Sequence, residues 1–90
     1  MSFVEDHLEY IRKAASVQAW QIVRATGRRS EKEDFEQELI MQIIRVAPRY
    51  DPRRSKPKTF ISLVAQTAAN KILIRLHSKK ETSLHEAKRI

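Results

Sequence analysis

Chain breakers are scarce in this sequence, and their scarcity limits the fold more than any other feature. One Gly and three Pro punctuate 90 residues. These residue types supply most tight turns, so turns must be few and the elements between them long. Between the breakers, apolar residues recur at helical spacing. Leu8, Ile11, Ala15, Ala19 and Ile22 form one stripe, which ends at Thr26-Gly27. Ser2 followed by Glu5 reads as a capping box, so a first helix is expected over about residues 3–26.

A second helix is expected after Ser30 and Glu33, which also have capping-box spacing. Glu31, Glu33 and Asp34 put negative charge in its first turn, where the macrodipole favours it. Phe35, Leu39, Ile40, Ile43, Ile44 and Ala47 follow as its apolar stripe, and Pro48 ends it. Tyr50 to Lys58 reads as a loop stiffened by two prolines, with five charged residues among its nine. Thr59 is placed to cap a third helix, expected to run to about His77. Phe60, Leu63, Val64, Thr67, Ala68, Ile72 and Leu76 are expected on its buried face. Lys58, Gln66, Lys71, Arg75 and Lys79 are left for a solvent or ligand face. Ser78 to Thr82 reads as a polar break, and Ser83 with Glu86 as a third capping box opening a short final element. No segment reads as a strand. The expected fold is all-α, a compact domain of three to four helices over residues 1–80, with 81–90 a linker start or short terminal helix.

Charge divides the chain. Residues 1–50 hold eight basic and eight acidic side chains; residues 51–90 hold ten and three, which is the whole net charge of +7. A neutral part followed by a basic part points to two partners, one of them a polyanion. Hydrophobic residues make up 41% of the chain, enough for a folded helical domain and too many for a disordered one. The absence of Cys excludes disulfides and thiolate metal sites and fits a reducing compartment such as the cytoplasm. The N-terminus is acidic where a secretory signal would be basic, and no stretch approaches the length of a membrane span.

Enzyme chemistry finds little support. His7, His77 and His85 are scattered, with no second ligand at i+4, so no metal site or cofactor is expected. Gly27 stands alone, which leaves no Gly-rich phosphate loop. Glu36 and Glu38 point to different sides of a helix and are read as surface charges. Arg53, Arg54, Lys56 and Lys58 cluster in the stiffened loop, and Lys71, Arg75, Lys79 and Lys80 continue the base along the third helix. Together they form a plausible nucleic-acid footprint. Phe35 is expected in the core, and Trp20 is read as packing. Tyr50 and Phe60 either close the loop onto the core or stack on an unpaired base.

The order of these pieces resembles region 2 of bacterial sigma-70-type sigma factors, of a compact or phage type. The resemblance rests on Asp34-x-x-Gln37-Glu38, an apolar helix, Arg49-Tyr50-Asp51-Pro52-Arg53, a basic loop, and Lys58-Thr59-Phe60-Ile61 opening an apolar helix that ends in base. It runs from about Asp34 to Lys80, and the first helix fits the preceding subregion. It implies a non-enzymatic transcription initiation protein with two binding surfaces. Gln37 and Glu38, with Asp34, Ile40, Met41 and Ile44, would dock on the coiled coil of the largest clamp subunit of RNA polymerase. Tyr50, Arg53, Arg54, Lys56, Lys58, Thr59, Phe60, Ile61, Lys71, Arg75, Lys79 and Lys80 would contact promoter DNA at the −10 element.

Sigma factors that melt promoters unaided carry several aromatics on this helix, whereas here only Phe60 is present. Thr67 stands where compact members often carry Asn. No helix-turn-helix for the −35 element follows within the 90 residues. The resemblance therefore implies a fragment, a stand-alone region 2 of phage or mobile-element type, or one half of a split sigma whose second chain reads the −35 element. The alternatives are a decoy that occupies the polymerase, or a helical nucleic-acid-binding module with no polymerase partner.

Overall fold

The computed structural model describes the backbone of residues 3–89 and the side chains of residues 3–77. Four α-helices carry the fold: α1 Phe3–Asp6, α2 Leu8–Thr26, α3 Lys32–Val46 and α4 Pro57–Arg89. No strand occurs among the described residues. Helices α2, α3 and α4 pack on one another in all three pairings.

The expected first helix is broken once, at His7. The ring Nδ1 of His7 lies 2.9 Å from the carbonyl of Phe3, four residues back. The expected capping box at Ser2 lies outside the described residues. At the far end, Gly27 adopts φ +74°, and its N–H donates to the Val23 carbonyl at 2.7 Å. Only Gly takes that left-handed conformation without a Cβ penalty, so α2 stops where the glycine stands.

The capping box at Ser30 and Glu33 does not form. A 3-10 turn occupies Arg29–Glu31, and no side chain caps α3. The backbone does the work instead: Glu31 N–H donates to Arg28 and Lys32 N–H to Arg29. These i→i+3 bonds satisfy donors that a capping side chain would otherwise take. Helix α3 ends at Val46, and a 3-10 turn over Ala47–Arg49 contains Pro48.

Helix α4 differs most from expectation. It starts at Pro57, before Thr59, because Pro lacks only an N–H that the first turn leaves unpaired anyway. Thr59 is thus inside the first turn and exposed. The helix continues through 78–82 to Arg89, so neither a break at Ser78 nor a new start at Ser83 occurs. Its phase also differs. Among its described residues, Ile61, Ala65, Ala68, Ala69 and Ile72 are buried, while Leu63 and Thr67 face outward.

The core has two clusters. Ala15, Ala19, Ile22, Val23, Phe35 and Leu39 meet Ala68, Ala69 and Ile72 of α4 in one. Ile11, Ile43, Ile61 and Ala65 form the other. Ile40 packs against both. Five alanines in these clusters allow the helix backbones to approach closely. Leu8 and Ile44, members of the apolar stripes in the sequence, are exposed.

Candidate polymerase and nucleic-acid surfaces

Helix α3 has an inner and an outer side. Phe35, Leu39 and Ile43 hold it in the core. Gln37, Met41 and Ile44, spaced by four and three, share the outer side. Met41 is 62% exposed and Ile44 43%, leaving an apolar strip among polar neighbours. Asp34 is exposed in the first turn. Ile40 is half-buried, with part of its side chain packed against the core.

Glu38 and Arg75, assigned from the sequence to different partners, meet each other. The Glu38 carboxylate accepts from Arg75 Nη2 at 3.3 Å, and its second oxygen lies 3.3 Å from Nη1. Both side chains are substantially exposed, so the pair is worth about 0–1 kcal/mol. It ties α3 to α4 at the point where the two surfaces adjoin.

The loop between α3 and α4 is internally braced. Asp51 starts a turn: its carbonyl accepts from Arg54 N–H at 3.0 Å and its carboxylate from Arg53 N–H at 2.9 Å. Pro52 follows it, at the second turn position, where its fixed φ suits the backbone. The Tyr50 hydroxyl donates to the Ser55 carbonyl at 2.8 Å and ties the two ends of the loop together. Arg53, Arg54 and Lys56 remain exposed on this frame.

Tyr50 and Phe60 pack against each other with their rings tilted, centroids 5.1 Å apart. Phe3 joins them at 4.7 Å from Tyr50 and 5.9 Å from Phe60. The aromatics therefore close the loop onto α1 and α4. Phe3 was not legible as a partner, since nothing local signals a pairing with residues about fifty positions away. Phe60 also lines a groove between α3 and α4, with Gln42, Val46, Leu63, Thr67 and Lys71. This gives an apolar floor with one cation beside the basic loop.

Of the other residues assigned to DNA, Lys58 sits over the Tyr10 ring, 5.5 Å from its centroid. Lys71 and Arg75 are exposed. The side chains of Lys79 and Lys80 lie outside the described residues. Ile61 requires correction. It is 0% exposed in the core between α2, α3 and α4, so it has no surface to offer DNA. The sequence puts it at the start of the segment expected to face DNA, but α4 turns this position inward.

Among the described residues, Glu36 alone has a shifted acidity. A hydrogen bond from Lys32 Nζ at 2.8 Å holds its carboxyl below the ordinary value of 4.5. Among the described residues, no group of three His, Cys, Asp or Glu is arranged to hold a metal ion. No described helix is long and apolar enough to cross a membrane.

Comparison with curated proteins gave no significant match, and neither did comparison with solved structures. A family model described as sigma-70 region 2 matches residues 4–80. That span includes both core clusters, the outer strip of α3, the braced loop and the groove, and extends the resemblance back through α2. The chain therefore belongs to the sigma-70 region 2 family, a non-enzymatic domain with a sigma-factor-like role in transcription initiation.

Proposed function

We propose that this domain bridges RNA polymerase and promoter DNA at the −10 element. The observation that carries the reading is the outward apolar strip of α3, with Met41 and Ile44 exposed beside Gln37 and Glu38. Exposed apolar residues flanked by polar ones form a surface suited to a protein partner. Here that partner is the coiled coil of the largest clamp subunit. Asp34 adds a rim charge.

The second surface is the braced loop with the groove beside it. Arg53, Arg54, Lys56 and Lys71 supply cations for phosphate, and the prolines and the Tyr50–Ser55 bond reduce the ordering cost of binding. Phe60, Leu63 and Val46 offer an apolar seat for an unpaired base. Because Tyr50 and Phe60 already engage each other and Phe3, this surface holds opened DNA better than it forces DNA open.

The deciding experiment replaces Gln37 with Ala and Met41 with Glu and measures binding to polymerase core. Both positions are on the outer side of α3, so the helical circular dichroism should be unchanged while core binding is lost. Unchanged binding would sink the docking reading. In vitro transcription with the unsubstituted chain then separates an initiation factor from an inhibitor that only occupies the clamp.

A further inference from the structure

Helix α2 carries two stripes. One is the buried stripe that builds the core. The other runs along its outer side through Tyr10, Lys13, Val17, Trp20 and Arg24, at spacings of three, four, three and four. That is the spacing at which one helix seats a second helix alongside it. Val17 is 49% exposed and Trp20 47%, so the centre of the stripe is apolar and open. The sequence alone suggests a packing role for Trp20, and the structure turns it outward.

Two shallow depressions share Val17. One is lined by Tyr10, Lys13, Ala14 and Ser62, the other by Trp20, Arg24, Gly27 and Arg29. Every charged residue lining them, among the described residues, is basic. We infer that this outer face of α2 docks an amphipathic helix of a protein partner, with apolar side chains on Val17 and Trp20 and carboxylates on Lys13, Arg24 and Arg29. Trp and Arg are the residue types that most often dominate such interfaces. The stripe spans about 21 Å at 1.5 Å per residue, enough for four turns of a partner.

Nucleic acid fits this face less well. The two aromatics a base would need each carry an ammonium over the ring: Lys32 lies 4.9 Å from the Trp20 centroid and Lys58 5.5 Å from that of Tyr10. A ring so covered offers its edge and remaining flank, which suit aliphatic side chains. This surface lies on a different helix from the strip proposed for polymerase and does not depend on that proposal.

Trp20 is the only tryptophan, so its emission reports on the site directly. The full chain is titrated with three probes: a helical peptide of about 18 residues with a Leu stripe flanked by Glu, the same peptide with Lys in place of Glu, and a short single-stranded DNA. The acidic peptide is expected to shift Trp20 emission to the blue. Val17→Glu or Arg24→Glu should each weaken it about tenfold or more, read from anisotropy of labelled peptide. Arg12→Glu, exposed and outside both depressions, makes the same charge change as Arg24→Glu and should act far more weakly. Circular dichroism checks the fold, and Val17→Ser replaces Val17→Glu if that variant is unfolded. Equal binding of the basic peptide, or equal loss in Arg12→Glu and Arg24→Glu, would overturn the inference. A shift in Trp20 emission with DNA alone would reassign the face to nucleic acid.

Discussion

Truncating Ile61 to Ala tests the phase of α4 and, with it, the division between core and DNA surface. Ile61 is fully buried among Ile11, Ile43 and Ala65. Removing a buried branched side chain loses its transfer energy and leaves a cavity, at a cost of about 3 kcal/mol. A 90-residue domain has a total stability of about 5–13 kcal/mol, so the loss is a large share of it. With an unfolding entropy of about 2.1 cal/mol/K per residue, 3 kcal/mol lowers Tm by about 16 °C. Leu63 is the control. It lies two residues on, about 200° around the helix, and is 56% exposed. Leu63→Ala should change stability by only about 0.5 kcal/mol, or about 3 °C. Thermal denaturation followed by circular dichroism gives both values. Binding to single-stranded −10 DNA, measured well below both midpoints, should be unchanged for Ile61→Ala and reduced for Leu63→Ala. A larger loss of stability for Leu63→Ala would mean that α4 is turned the other way. A fall in DNA binding by Ile61→Ala without a fall in Tm would return Ile61 to the surface.

Two further outcomes follow from the charges. Replacing Arg53, Arg54, Lys56 and Lys58 with Ser should weaken single-stranded DNA binding and flatten the log K against log salt slope by up to about 2.8, at about 0.7 for each phosphate no longer neutralised; an unchanged slope would remove the loop from the interface. Glu36 should make stability pH-dependent. Its carboxyl is held below 4.5 in the folded chain by Lys32, so its contribution is fully present above 4.5 and is lost as pH falls through the folded value. The stability difference between the unsubstituted chain and Glu36→Gln, measured by urea unfolding, should therefore shrink as the medium is acidified below 4.5. A difference that stays constant would show that Lys32 does not hold the carboxylate.

What the sequence determined on its own was the all-α class, the three long helices and the ends of α2 and α3. Gly27 stops α2 because its backbone must take φ +74°, and Pro48 stands just past the end of α3 because it cannot continue a helix. The large aliphatic residues Ile11, Ile22, Leu39 and Ile43 announced their burial by spacing. The family was legible too, because its motifs are local. The tertiary structure alone decided which way α4 turns. Its buried face is largely alanine, and alanine marks either a core or a surface position in a sequence. Those alanines are inside because three helices packed closely leave room only for small side chains, and that fit pushes Leu63 out and draws Ile61 in. The same packing turns Trp20 outward, joins Glu38 to Arg75, and brings Phe3 against Tyr50 and Phe60. Each of these is a relation between helices, set by close packing across segments distant in sequence, so no local pattern could carry it.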